Sequence, residues 1–145
     1  MIGSRSYLQR RSQLETYFDR TATQTWERLT SHEKVSRIRE TVRKGRDRMR
    51  ALMLSRLPTD LRGARVLDAG CGMGDGLQAL RQAYPSGQFS GTEWSWVWWA
   101  VCALRCPWAR VRRGDMWADD WSQYDLVYLF QRPESMPRAW TKALE

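Results

Sequence analysis

The sequence has 145 residues, of which 42% are hydrophobic, and this is enough for one globular domain but too little for two. No apolar run reaches the roughly 20 residues of a membrane-spanning helix, and the start lacks the apolar core of a secretory signal, so we expect a cytoplasmic protein. The net charge of +8 lies almost entirely in residues 1–60, which contain 14 basic and 7 acidic residues. Such a basic segment can bind an anionic substrate, a membrane surface or nucleic acid, or it can simply be a solvated helix face.

Residues 1–60 have a helical pattern, and we predict that they form an N-terminal helical arm. A first segment is marked by Tyr7, Leu8, Leu14, Tyr17 and Phe18, and a second by Trp26 and Leu29. The third and clearest helix has its apolar positions at Val35, Ile38, Val42, Met49, Leu52, Met53 and Leu57. Thr30 and Glu33 form a capping-box pattern before this helix, Pro58 marks its end, and Gly45 predicts a break within it.

Residues 61–145 change to short strands that alternate with helices, which is typical of a parallel sheet built from βαβ units. The strands are predicted near 64–69, 88–93, 109–113 and 124–130. The helices are predicted near 75–84, 95–105 and 134–144. The predicted fold class is therefore α/β, with a Rossmann-like domain of about four parallel strands preceded by the helical arm.

Three cysteines, Cys71, Cys102 and Cys106, lack the spacing of a metal site, because no second pair and no nearby histidine completes a ligand set. We therefore expect buried thiols and no bound metal.

A glycine-rich loop follows the first predicted strand, where residues 66–74 read VLDAGCGMG. A backbone without Cβ can turn tightly and approach a ligand closely, and Gly70, Gly72 and Gly74 supply this property. Nucleotide-binding dehydrogenases share such a glycine pattern. Asp68 at the strand end distinguishes this loop from that of the dehydrogenases, because dinucleotide binders need the following helix N-terminus free for a pyrophosphate.

Two further acidic positions follow the second and third strands. Glu93 ends the second strand, where a carboxylate can hold ribose hydroxyls, and Asp115 and Met116 follow the third. This order resembles the cofactor site of class I S-adenosylmethionine (SAM) dependent methyltransferases. The resemblance implies that Asp68 faces the cationic methionine end and that Asp115 binds the adenine amine, with Met116 against the ring. Trp94, directly after Glu93, is assigned to the adenine pocket.

Four tryptophans, Trp94, Trp96, Trp98 and Trp99, crowd the segment after the second strand. Val97, Val101 and Leu104 share one helical face there and are predicted to dock on the sheet. Core packing, a flat apolar substrate and a membrane interface all stay open for Trp96, Trp98 and Trp99.

Residues 14–72 resemble the magnesium-protoporphyrin IX methyltransferases. The matching stretches are LETYFDRTA at 14–22, WERL at 26–29, VSRIR at 35–39, GRD at 45–47 and DAGCG at 68–72. The resemblance implies an arm that closes over the cofactor and helps to form a tetrapyrrole pocket. Tyr17 is the catalytic candidate, although a packing role is an equal alternative. An ionised propionate also suits Arg20, Arg37 and Arg39 as contacts.

From Met73 onward the matching stretches are EWS at 93–95, RGDMW at 113–117, WSQYDLVY at 121–128 and PESMP at 133–137. This part resembles instead small bacterial methyltransferases of unassigned substrate, distantly like a group of protein-lysine methyltransferases. The porphyrin enzymes carry a histidine after the fourth strand, where this chain has FQRP at 130–133, and its one histidine, His32, is expected to be exposed. The family fold has seven strands, so a truncated, inactive SAM-binding fragment is a further hypothesis. The fourth strand should form an exposed sheet edge and favour self-association. Nucleic acid ranks last among the partners.

Overall fold

The computed structural model describes residues 37–131 and 133–145, together with nine single positions between residues 9 and 24. The side chains of residues 37–39 fall outside this description. The predicted capping box of Thr30 and Glu33 also lies outside it. So do the other predicted arm positions Tyr7, Leu8, Leu14, Phe18, Trp26, Leu29, His32 and Val35.

The described residues contain one sheet of four parallel strands. The strands are β1 (Arg65–Ala69), β2 (Gln88–Glu93), β3 (Arg110–Arg113) and β4 (Leu126–Leu129). Their order in the sheet is β3-β2-β1-β4, so β1 is central and pairs on both sides. Residues 66–69 are all buried, as expected for a parallel strand that is covered on both faces.

Helices connect or flank these strands. They are α1 (Arg37–Leu54), α2 (Asp75–Ala83), α3 (Trp96–Arg105) and α4 (Met136–Ala143). α2 follows β1 and α3 follows β2, which gives the βαβ units predicted from the sequence. Ser95 caps α3, because its Oγ accepts a hydrogen bond from the backbone N–H of Trp98 at 3.3 Å.

Two hydrophobic clusters cover the sheet. One contains Val66, Leu77, Leu80, Phe89, Cys102 and Tyr128, with Met53, Leu54 and Leu57 packed against it from α1 and the turn that follows. The other is built on Leu67, Ala69, Trp121 and Ala139. Each cluster excludes water from one face of β1, and this burial is the main stabilising contribution to the sheet.

The three thiols lie together in the first cluster, as expected for buried cysteines. The Sγ atoms of Cys71 and Cys102 are 3.4 Å apart, and all three cysteines are buried and free. The hydrogen bond with Cys102 and burial raise the pKa of Cys71 far above its usual range, and burial raises the pKa of Cys106 to about 11. The thiols of Cys71 and Cys106 are therefore protonated packing groups at neutral pH. No cluster of metal-ligating side chains occurs among the described residues.

Most predicted elements agree with the structure to within about two residues at each end. Two details of the prediction were wrong. α1 runs without a break through Gly45, because one glycine costs only about 1 kcal/mol in a helix that is anchored elsewhere. Leu104 is 77% exposed, because Val101 and Cys102 are the α3 side chains buried toward the sheet.

Within the described part of the chain, β4 pairs with β1 alone and forms an edge of the sheet, as predicted. No helix of this part is long and apolar enough to cross a membrane.

Candidate functional site

A cavity of about 670 Å³ opens at the carboxyl edge of the sheet, where the loops after all four strands meet α1. This edge is where ligands bind in open α/β sheets, and the volume suits a small-molecule ligand. Its lining includes seven of the nine predicted site residues, which are Asp68, Gly70, Gly72, Glu93, Trp94, Asp115 and Met116. Gly74 and Tyr17 do not belong to the lining.

The glycine loop is shaped by backbone that other residues rarely adopt. Gly70 has φ +78° and Gly72 has φ +54°, both in the left-handed region. A Cβ at Gly70 would also lie 2.9 Å from Gln131 Nε2 and 3.2 Å from Met116 Sδ, across the cavity. The backbone N–H groups of Gly70 and Cys71 both donate to the carbonyl oxygen of Thr92. The loop is thus tied to β2 and leaves open space beside its backbone.

Gly74 has a packing role in this structure. It is the N-cap of α2 with φ +89°, and a Cβ there would lie 2.8 Å from Cys106 Sγ and 3.0 Å from Cys102 Sγ. The third glycine of the motif therefore lets α3 approach the start of α2 closely, which holds the loop in place from behind.

Asp68 lies at the floor of the cavity and is only 3% exposed. Burial raises the pKa of its carboxyl group to about 7; the nearby charge of Arg50 opposes this rise, and Glu93 and Asp75 add to it. Gly76 permits this position, because a Cβ there would lie 2.6 Å from Asp68 Oδ2. A buried carboxyl group with a raised pKa gains most from a cationic ligand, which favours its ionised form.

Glu93 is buried and organises the loops around it. Its Oε2 accepts a hydrogen bond from Gly72 N at 2.9 Å, and its Oε1 accepts from Trp94 N and Ser95 N, both at 3.0 Å. Burial raises the pKa of Glu93, and the three backbone hydrogen bonds oppose that rise. Oε1 already accepts two hydrogen bonds, whereas Oε2 accepts only one, so Glu93 can fix the glycine loop and still accept a hydrogen bond from a ligand hydroxyl at Oε2.

The adenine side of the predicted site comes from the loop after β3. Asp115 Oδ1 accepts a hydrogen bond from Trp117 N at 3.0 Å, which closes a tight turn and keeps the carboxylate at the cavity wall. Met116 and Trp94 are half-buried and line the same cavity. These positions bring the predicted acid and the predicted apolar side chains to one wall.

The other tryptophans have different environments. Trp98 lines the cavity, and its Nε1 is buried without a hydrogen-bond partner in the described structure. Trp99 Nε1 donates to the carbonyl oxygen of Val111 at 3.3 Å. Trp96 is exposed and stacks on Arg113, whose Cζ lies 4.0 Å from the ring centroid. Only Trp94 and Trp98 of this cluster face the cavity, so the cluster does not act as one surface.

Tyr17 is 62% exposed, and its backbone carbonyl oxygen accepts a hydrogen bond from Thr21 Oγ1 at 2.8 Å. Arg20 is exposed and does not line the cavity. The arm reaches the site through Asp19, whose carboxylate accepts a short hydrogen bond from Ser95 Oγ. This contact attaches the arm to the N-cap of α3, directly beside Glu93.

The sequence interpretation missed several residues of the cavity. Arg46 and Arg50 line it from α1, Tyr128 from β4, and Phe130 and Gln131 from the segment after β4. The four-residue spacing of the two arginines puts them on one helix face, and this signal was available in the sequence. Nothing in the sequence pattern alone indicated that this face of α1 turns toward β1.

Comparison with solved structures identifies the architecture. The chain aligns with magnesium protoporphyrin IX methyltransferase from Synechocystis, solved with bound SAM, at a TM-score of 0.68 and 21% identity. The alignment covers 81% of this chain and 60% of that one. The chain therefore has the Rossmann-like fold of class I SAM-dependent methyltransferases.

Two methyltransferases are similar in sequence to parts of this chain. The chain is 65% identical over 69 residues to a magnesium-protoporphyrin O-methyltransferase of Rhodobacter capsulatus. The aligned residues are 47% of this chain and 31% of the relative. It is 35% identical over 78 residues to trans-aconitate 2-methyltransferase of Variovorax paradoxus, covering 52% of this chain and 30% of that protein. The chain thus spans about a third of the length of either relative. No family model matches it.

Proposed function

We propose that the chain binds SAM in the cavity at the carboxyl edge of the sheet and belongs to an enzyme that methylates a propionate oxygen of magnesium-protoporphyrin IX. The observation that carries this proposal is the 65% identity to a magnesium-protoporphyrin O-methyltransferase. The arrangement of Asp68, Glu93 and Asp115 around one cavity supports the cofactor.

The residues present fit SAM. Asp68 is a buried acid, and it suits the cationic methionine end. Glu93 suits the ribose hydroxyls, and Asp115 suits the adenine amine, with Met116 and Trp94 against the ring. At Gly72 no atom lies within 4 Å of the position that a Cβ would take, which leaves room for a ligand beside the loop.

When bound, SAM supplies an electrophilic methyl group on a sulfonium, so the protein mainly has to align the acceptor. A propionate is ionised at neutral pH because its pKa lies near ~4, and it therefore needs no general base. The cavity contributes cationic side chains, Arg46 and Arg50, and apolar surface from Trp98 and Phe130. These groups can hold an anionic, largely apolar acceptor and exclude water from the reacting oxygen. Tyr17 is proposed to act as a hydrogen-bonding group from the arm when the arm closes.

The similarity to trans-aconitate 2-methyltransferase favours a second candidate for the methyl acceptor. Trans-aconitate is a small polycarboxylate, so the relative's name and the arginines of the cavity both point to carboxylate substrates. A small-molecule carboxylic acid is therefore the alternative acceptor. A lysine acceptor would need a base to remove its proton, because its pKa is about 10.4. A SAM-binding fragment without activity is the third possibility.

The proposal extends to organisation and partners. We propose residues 1–60 as the arm and residues 61–145 as the SAM-binding domain, joined by the hydrogen bond between Asp19 and Ser95. We infer a cytoplasmic protein with a small-molecule acceptor, peripheral membrane contact through its basic arm, and self-association through the β4 edge. No metal is proposed for the protein itself, and nucleic acid ranks last.

The test is methyl transfer from labelled SAM, with three acceptors compared under identical conditions. Magnesium-protoporphyrin should become a monomethyl ester, and its dimethyl ester, which has no free propionate, should stay unlabelled. Trans-aconitate is the third acceptor. Labelling of trans-aconitate alone would replace the porphyrin proposal with the second candidate. SAM binding without any transfer would support the fragment, and absence of SAM binding would contradict every version of the proposal.

A further inference from the structure

A largely buried carboxylate connects β2 and β3 to the loop that follows β3. Asp119 lies in this loop, and its side chain is only 11% exposed. Its Oδ2 accepts a hydrogen bond from Thr92 Oγ1 on β2, and its Oδ1 accepts one from Arg112 Nη2 on β3 at 3.0 Å. Asp119 is not among the described residues that line the cavity, so any effect on a ligand has to pass through its neighbours.

The loop after β3 is held at both ends. At its start, Gly114 N donates to the carbonyl oxygen of Glu93 at 2.9 Å. Ala118 N donates to the carbonyl oxygen of Asp115 at 2.9 Å and closes a turn, and Asp119 directly follows this turn. The side chain of Asp119 therefore fixes the end of the turn that carries the carboxylate proposed for the adenine amine.

Thr92 joins this loop to the glycine loop. Its backbone carbonyl oxygen accepts hydrogen bonds from Gly70 N at 2.9 Å and from Cys71 N at 3.0 Å, while its side chain donates to Asp119. Thr92 is fully buried, and a hydroxyl that donates to a carboxylate makes a stronger hydrogen bond than two neutral groups make. One residue of β2 therefore sets the spacing between two loops of the proposed cofactor site.

A separate tether should keep the loop attached when Asp119 is replaced. Trp121 Nε1 donates to the carbonyl oxygen of Met116 at 3.1 Å, and Trp121 is buried in the second hydrophobic cluster. This bond holds the backbone of the loop, whereas Asp119 holds the end of the turn. We therefore expect a chain without Asp119 to keep the loop on the sheet and to lose the fixed position of the Asp115 carboxylate.

We propose that Asp119 is a positioning residue that, through Thr92 and Arg112, holds the Asp115 carboxylate where it accepts a hydrogen bond from the adenine amine. This inference rests on the proposed SAM site and deepens it. It assigns selectivity for the purine base to a residue that does not touch the ligand. The selectivity should therefore depend on Asp119, whereas the affinity for the rest of the cofactor should not.

The test compares two ligands that differ only in the purine base. S-adenosylhomocysteine carries the amine, and S-inosylhomocysteine carries a carbonyl oxygen in its place. Isothermal titration of the wild-type chain should show about 10- to 100-fold tighter binding of S-adenosylhomocysteine, the range expected for a hydrogen bond to a charged group. Asp119→Ala should reduce this preference to about threefold or less by weakening the binding of S-adenosylhomocysteine alone. Asp119→Asn, which keeps one acceptor, should restore part of the preference.

Two further comparisons separate positioning from a merely structural role. Thr92→Val removes the hydroxyl and keeps the carbonyl oxygen, so it should reduce the preference as Asp119→Ala does, and it replaces that variant if Asp119→Ala does not fold. Thr92→Ser, which keeps the hydroxyl, should retain most of the preference. In an Asp115→Asn background, where the contact with the amine is already lost, Asp119→Ala should change the preference by less than about twofold.

Asp120→Ala is the matched control, because it removes the neighbouring acid from the same loop. Asp120 caps the short helix Trp121–Gln123 by accepting a hydrogen bond from Ser122 N at 3.0 Å, and none of its described hydrogen bonds involves Thr92 or Arg112. This variant should leave the preference within about twofold of the wild-type value.

Several results would overturn the inference and leave the proposed SAM site intact. These are an unchanged preference in Asp119→Ala or Thr92→Val, an equal loss of both affinities, a further loss in the Asp115→Asn background, and the same loss of preference in Asp120→Ala. Equal affinity of the wild type for both ligands would also overturn it. Failure of the wild type to bind either ligand would remove the proposed function and this inference together.

Discussion

Replacing Asp68 should stabilise the free protein and weaken cofactor binding at the same time. The folded-state pKa of Asp68 is about 7 against an ordinary value of 3.8, mainly because of burial. The difference between these two pKa values corresponds to about 4 kcal/mol, because a tenfold change in an equilibrium constant is about 1.36 kcal/mol. Because the folded-state pKa is raised, this cost is absent below pH 4, grows as the pH rises to 7, and is constant above pH 7. Asp68→Asn removes the ionisable group and therefore the cost.

Thermal and urea unfolding of the free protein measure the effect. At pH 8, Asp68→Asn should increase the free energy of unfolding by up to about 4 kcal/mol, and the gain should disappear toward pH 4. Asp125→Asn is the matched control, for which the free energy of unfolding should change in the opposite direction. A hydrogen bond from Arg65 lowers the pKa of Asp125, so its ionised form stabilises the fold above pH 4 and its replacement should bring a small loss at pH 8.

SAM binding should change in the opposite direction. In the proposed SAM site the ionised form of Asp68 binds the cationic methionine end of the cofactor. Wild-type affinity should therefore fall as the pH drops below 7, by up to about tenfold per pH unit, with proton release on binding. Titrations in two buffers of different ionisation enthalpy detect that proton. Asp68→Asn should bind more weakly and lose this pH dependence. If the variant is less stable than the wild type at pH 8, or if the wild-type affinity does not change between pH 6 and 8, the reasoning from burial is refuted.

Gly74→Ala should destabilise the fold by about 2–4 kcal/mol in urea unfolding, because it combines left-handed backbone with contacts under 3.1 Å to two cysteine sulfurs. Gly63→Ala, with similar φ but open space, should cost only about 1 kcal/mol, and equal losses would exclude the packing role. Ser95→Ala removes the α3 cap and the hydrogen bond to Asp19, so it should cost about 1–2 kcal/mol and increase proteolysis of the arm; an unchanged cleavage pattern would argue against that attachment. Tyr17→Phe should lower kcat at least about fivefold with KM for SAM unchanged, and an unaltered kcat would leave Tyr17 a packing residue.

The sequence predicted the parts of this structure that depend on local pattern. Strand periods, the glycine loop and the acids at successive strand ends are local features, and the parallel topology brings Asp68, Glu93 and Asp115 to one edge because all carboxyl ends of the strands meet there. The order of the motifs therefore predicted the composition of the cavity wall without any knowledge of tertiary contacts.

Contacts between distant parts of the chain could not be predicted in this way. Asp19 and Ser95 are 76 residues apart, and nothing in either segment indicates their hydrogen bond. The orientation of α1 toward β1 is also a tertiary property, so Arg50 was not distinguished from the other arginines of the arm. Gly74 has the motif's spacing, yet its role is set by two cysteine side chains of α3. The predicted burial of Leu104 was wrong, because helix periodicity identifies an apolar face but not the exact rotation of the helix against the sheet.

Tryptophan indole resonances give the most direct test that this cavity is the SAM site. Trp94 and Trp98 line the cavity, whereas Trp108 packs against Phe89 and Trp140 is exposed on α4, so the last two are internal controls. In a ¹⁵N-labelled sample titrated with SAM, the indole N–H signals of Trp94 and Trp98 should shift and saturate together, while those of Trp108 and Trp140 stay in place. Unchanged Trp94 and Trp98 signals at saturating SAM, or shifts confined to Trp108 and Trp140, would contradict the account.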